Sequence, residues 1–167
     1  AAEPAWLGAE DGAITLAGGG LSFGRTTGEA IKLLRAVTVA AGTTGTLRNA
    51  AGGDRLDFGN SYVSFKDATL RLARAGDETK TAAFNIARTG SSSWQGNGLA
   101  TGGTLDVGPG TTLGVWEGDV FGGANHQTDI TLVVREGASV NAGGSHTPLT
   151  PHIVLEGGSR LLTNGGL

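Results

Sequence analysis

Trp116, Glu117, Asp119 and Phe121 fall within one short stretch, so two carboxylates lie close to two aromatic rings. Rings of this kind stack against sugar faces, and carboxylates accept sugar hydroxyls or act as a general acid and base. With Asp106, a carboxylate further upstream, the stretch reads as a candidate glycan loop. The competing reading is a polar turn with solvated charges, and the sequence favours it because no second carboxylate is fixed opposite Asp106. No catalytic residue is assigned.

Three histidines, His126, His146 and His152, are the remaining chemical candidates. His146 and His152 are separated by a Pro-containing stretch, and neither has the spacing of a zinc or copper ligand pair. The chain has no cysteine, which removes disulfides and thiolate metal sites. No metal or cofactor is expected. The glycine run at Gly18, Gly19 and Gly20 does not open a helix, so it reads as a turn and not a phosphate cradle. Ser91, Ser92 and Ser93 have no nucleophile elbow around them. Trp6, Trp94 and Trp116 are read as anchors more readily than as sugar platforms.

These residues must be positioned by short strands, since the apolar residues alternate with period 2. One phrase recurs, with two apolar residues flanking another, then two residues, glycine, two residues and an apolar residue. It is plainest at Leu105, Val107, Gly110 and Leu113, at Leu132, Val134, Gly137 and Val140, and at Ile153, Leu155, Gly158 and Leu161. Counted through the chain, the phrase places apolar residues at 16, 39, 65, 86, 107, 134 and 155, with a base spacing of 21. A unit this short has no room for a strand–helix–strand crossover, so it reads as a coil that stacks on itself. The expected architecture is all-β, a parallel β-helix of about seven coils over residues 12–167, with 1–11 as an N-terminal segment or cap. In it, Leu16, Val39, Phe65, Ile86, Val107, Val134 and Leu155 form one inner file. Thr15, Thr38, Ser64, Asn85, Asp106, Val133 and Val154 form one outer file. Gly19, Gly42, Gly90, Gly110, Gly137 and Gly158 take the corners.

Composition agrees with a turn-rich, packed chain. Glycine makes up 31 of 167 residues with only 4 prolines and no Gly-X-Y period, which excludes collagen. The net charge of −3 and the lack of a basic patch argue against nucleic acid as a partner. No apolar run is long enough to span a membrane as a helix, so membrane insertion by this chain is not expected. The opening Ala1-Ala2-Glu3-Pro4 fits a mature chain after leader removal, or an excised fragment.

The repeats at 104–113, 131–140 and 153–162 resemble those of bacterial autotransporter passengers and autotransporter-associated β-strand proteins. That resemblance implies a right-handed winding and a secreted or cell-surface protein of structural, adhesive or biofilm-matrix type. The function expected is therefore non-enzymatic: an extracellular solenoid that assembles or adheres, with end-to-end growth into a filament as its sharpest form. Its partners would be itself, head to tail, or a surface glycan. Trp6, Leu7, Leu162 and Leu167 are the candidate assembly residues, because the open ends of a solenoid present unpaired strand edges. The alternative is a pectate-lyase-like β-helix that binds or cleaves carbohydrate through Trp116, Glu117, Asp119 and Phe121 with Asp106.

Overall fold

The computed structural model describes residues 12–24, 30–33, 35–57, 63–87, 103–116, 130–143 and 152–163. Alternating short apolar and polar residues, broken every few positions by a turn, give fifteen strands and no helix among the described residues. The first lap contains β1 (Ile14–Leu16), β2 (Gly20–Phe23) and β3 (Ile31–Lys32), and the second β4 (Val37–Val39), β5 (Thr44–Ala50) and β6 (Leu56–Asp57). Next come β7 (Val63–Ser64), β8 (Thr69–Ala75) and β9 (Ala82–Ala87). Three strand pairs complete the order: β10 (Thr104–Val107) with β11 (Thr111–Trp116), β12 (Thr131–Val134) with β13 (Ser139–Gly143), and β14 (His152–Leu155) with β15 (Arg160–Thr163).

Every pairing is parallel. A short sheet runs β1-β4-β7, a second sheet β2-β5-β8-β10-β12-β14, and a third β3-β6-β9-β11-β13-β15. Each sheet collects one strand from successive laps, so the chain is an all-β parallel solenoid.

The core lies between the sheets and is built from files of like side chains. Leu47, Leu72, Val107, Val134 and Leu155 follow one another across the second sheet. Leu56, Phe84, Leu113 and Val140 do the same across the third. All of these except Leu155 are buried, and each such side chain contributes about 1.5–3 kcal/mol through removal from water. The interior also takes one amide. Asn49 donates from Nδ2 to the carbonyls of Asp54 at 2.7 Å and Ala83 at 2.9 Å, while its Oδ1 accepts from Ala50 N–H. That satisfied amide lies within β5, which runs for seven residues.

The single inner file is corrected to three. Leu16 and Val39 pair in the short sheet, Val107, Val134 and Leu155 in the second, and Ile86 pairs with Val115 in the third. The spacing of 21 from Phe65 to Ile86 therefore joins different sheets of one lap, not the same sheet of two laps. The outer file divides likewise. Thr15, Thr38 and Ser64 are neighbours, whereas Asn85 sits between Asp57 and Gly114, and Asp106 between Arg71 and Val133.

The corners explain how one phrase covers two places. Backbone bonds close tight turns at 40–43 and 65–68 between the short and second sheets, and at 50–53, 108–111, 135–138 and 156–159 between the second and third. Both kinds need a left-handed residue: Gly42 and Asp67 at the first corner, Gly52, Gly110, Gly137 and Gly158 at the second. At the opening corner the left-handed residue is Gly18, one position before the expected Gly19. Gly90 lies outside the described residues.

Candidate functional site

The described residues bring chemistry together at two places, the outer face of the second sheet and the edge formed by the last lap. On the outer face the register sets Arg71, Asp106 and Val133 side by side on β8, β10 and β12. Arg135 follows β12 directly and turns back toward Asp106. Its Nε donates to Oδ1 at 2.8 Å and its Nη2 to Oδ2 at 3.1 Å. Arg71 donates to Oδ2 from Nε at 2.9 Å, with Nη2 at 2.8 Å from the same oxygen. Arg135 also donates from Nη1 to Oε1 of Glu156 at 2.6 Å, and the other oxygen of Glu156 accepts from Glu136 N–H. A continuous ladder of Arg71, Asp106, Arg135 and Glu156 thus links four successive strands of the sheet.

Asp106 is only 1% exposed. Burial by itself pushes its carboxyl up, but the hydrogen bonds from Arg135 and Arg71 outweigh it and hold the group below the usual carboxylate range. The same bonds raise the Arg135 guanidinium, first through Asp106 and then through Glu156. Such a carboxylate carries a fixed charge and its oxygens are already engaged, so it organises the arginines and is unsuited to moving protons.

Beside this ladder is an open depression of about 440 Å³, lined by Arg71, Asp106 and Arg135 of the ladder together with Arg74, Gly76 and Glu78. Ala73, Gly108 and Pro109 complete its lining. Arg74 is fixed by donating from Nη1 to the carbonyls of Glu78 at 2.6 Å and Lys80 at 3.2 Å. It lies across Gly110, where any β-carbon would collide with the guanidinium.

The last lap forms the second place. Leu155 belongs to an inner file yet is 52% exposed, and Leu162 and Val154 are similarly exposed. Ile153 and Leu161 are half-buried. The strands concerned, β14 and β15, are the outermost strands of their sheets.

Of the residues singled out from the sequence, Asp106 and Leu162 are placed at these two locations. Asp106 and Asn85 are not neighbours, which corrects the sequence reading, and Arg71 takes the place assigned to Asn85. Trp116 ends β11, but its side chain lies outside the described residues, as do Trp6, Leu7, Glu117, Asp119, Phe121, His126, His146 and Leu167. His152 begins β14 and is exposed. Among the described residues no group of three His, Cys, Asp or Glu comes together to hold a metal ion, and no helix is long and apolar enough to cross a membrane.

Sequence reasoning missed the arginine ladder. The signal was present as Arg71 and Arg135 each lying close to an outward strand position, but only the register between laps sets them beside Asp106. Comparison with protein-family models, with curated proteins and with solved structures finds no match to this chain.

Proposed function

We propose that this chain is a non-enzymatic structural β-solenoid that works by joining its last lap to a second copy of itself. One observation carries the reading: core-type leucine is exposed on β14 and β15, the outermost strands of the two long sheets among the described residues. Edges of this kind template further strands.

The sequence of β14 suits a second copy. Opposed residues of an antiparallel pair share a face, so a twofold pairing of β14 with itself must centre on a residue. Centred on Val154, it sets Ile153 against Leu155 on the inner face. That contact buries apolar surface. This contact is isologous and closes at two copies. Filament growth would instead require the first lap to accept the last, and the inner residues Leu16, Phe23 and Ile31 of the first lap are already buried.

The finer geometry in this reading is a right-handed winding, in keeping with the strong preference of parallel crossovers. The six strands of each long sheet support six coils, so the expected seventh would have to come from outside the described residues. A secreted or surface location and kinship with autotransporter passengers belong to the same proposal and rest on the likeness of the repeats.

Sedimentation velocity over a range of protein concentration tests the central point. The expected result is a dimer that Leu155→Glu converts to a monomer with an unchanged β-sheet spectrum. A wild-type chain that stays monomeric at every concentration overturns the proposal.

A further inference from the structure

The depression on the outer face of the second sheet has a chemistry that end-to-end joining does not use. Asp106 occupies Nε and Nη2 of both Arg71 and Arg135, and Glu156 takes Nη1 of Arg135. Arg74 spends Nη1 on two carbonyls. Nη1 of Arg71 and both Nε and Nη2 of Arg74 have no partner among the described residues, and both residues line the same space. Three guanidinium groups line it against two carboxyl groups, one of them buried beneath the arginines.

Small residues in the lining keep the space open. Ala73 and Gly108 are neighbours on successive strands, Gly108 N–H donating to the Leu72 carbonyl at 2.8 Å. A β-carbon at Gly108 would meet that carbonyl oxygen at 2.8 Å, so glycine is required there. Planar guanidinium groups fixed by a buried carboxylate have lost their side-chain freedom before any ligand arrives, which lowers the cost of binding.

We propose that this depression binds an oxyanion group, carboxylate or sulfate, carried on an acidic polysaccharide that lies across the outer face of the second sheet. The anion would sit by Gly108 and accept from the unpartnered nitrogens of Arg71 and Arg74. A polymer suits the site better than a small ion because a further arginine stands along the same face. Arg48 pairs in register with Ala73 and its guanidinium reaches back over Gly20 on β2. The distance from β2 to β10 is three strand steps, about 14 Å, so successive charges of a polyanion have successive arginines to meet.

Calorimetric titration of the full chain with dextran sulfate, neutral dextran and inorganic sulfate tests this. Dextran sulfate is expected to bind, neutral dextran not to bind, and inorganic sulfate to compete. Arg74→Gln and Ala73→Glu, the second placing an acid in the lining, should each weaken dextran sulfate by about tenfold or more, as loss of a well-placed charge contact does. Arg55→Gln, just before β6 of the third sheet, removes the same net charge elsewhere and should leave binding within about twofold. Leu155→Glu should also leave it unchanged, so failure of the anion site and failure of end joining are told apart. If inorganic sulfate binds, with Arg74→Gln weakening it, while the polymer does not, the oxyanion site stands and a free ion is its ligand. Absence of binding by both, or equal weakening by Arg74→Gln and Arg55→Gln, overturns the proposal. Melting curves show whether each variant is folded.

Discussion

The first and last laps are made from the same kinds of side chain and end differently. Leu16, Phe23 and Ile31 in the first lap are buried, although β1, β2 and β3 each pair on one side only among the described residues. In the last lap Leu155 and Leu162 stand half in water. An inner leucine of a solenoid is shielded by the residues before and after it in its file. Leu72 has both, in Leu47 and Val107, while among the described residues Leu155 has only Val134. Among the described residues the inner side chains of the first lap are thus covered and those of the last are not.

The largest effect that sharpens this contrast comes from one substitution made at two places in one file. Leu72→Ala should cost about 2–5 kcal/mol in denaturant unfolding, since it leaves a cavity between two occupied laps. Leu155→Ala should cost about 1 kcal/mol or less in dilute protein, because roughly half of that side chain is already hydrated. At high protein concentration the second cost should rise if a copy covers the last lap, as any partner bound only to the folded state adds stability by mass action. Equal costs for the two at low concentration would erase the difference between an inner lap and the open one.

The last described lap is fastened by polar contacts as well as by its file. Glu156 follows β14 and is held by Arg135, which is held in turn by Asp106 and so tied to Arg71 on β8. Asp106→Ala removes the centre of this ladder and should destabilise the fold by about 1.5–3 kcal/mol, the range for hydrogen bonds to a charged group. Amide exchange should speed up first in β14 and β15, where fewer neighbours remain. Asp106→Val should do less harm, because it extends the outer file of Val133 and Val154 and leaves no unfilled space. If exchange rises evenly through all laps, the ladder is not what secures the last one.

Much of this was legible in the amino-acid sequence, and the limits of that reading have a physical cause. Alternation marks β10, β12 and β14 correctly because an outward residue at 106, 133 or 154 lies between inward aliphatic ones, as the period of a strand requires. The glycine three places on marks a corner for the same reason, since a left-handed turn there excludes most side chains. The phrase cannot say which corner. Gly42 turns the chain from the short sheet into the second, and Gly110 from the second into the third, yet both are preceded by the same alternating pair. Aligning Val39 with Val107 therefore joined two sheets in one file. Asn49 was missed because a buried amide looks polar until its carbonyl partners, from Asp54 and Ala83, are known. The ladder at Asp106 depends on contacts from residues 29 and 35 positions away, which no local pattern encodes.

Acid provides the smallest expected effect and the most specific one. The carboxyl of Asp106 is held below its ordinary range in the folded chain, so the unfolded chain takes up a proton there first as pH falls. Stability from this group is complete above the ordinary carboxylate value of about 4 and is lost as pH drops from there through the lower folded value. Urea midpoints measured between about pH 2 and pH 6 should be level at the upper end and decline toward the lower. The Asp106→Val variant lacks the group and should decline less over the same interval. Exposed acids such as Asp77, whose carboxyl is lowered mainly by bonds from Thr79, are common to both proteins and cancel in the difference. The remaining difference belongs to the carboxylate that ties the open end to the middle of the solenoid. Identical curves for the two proteins would mean that its charge does not hold that end.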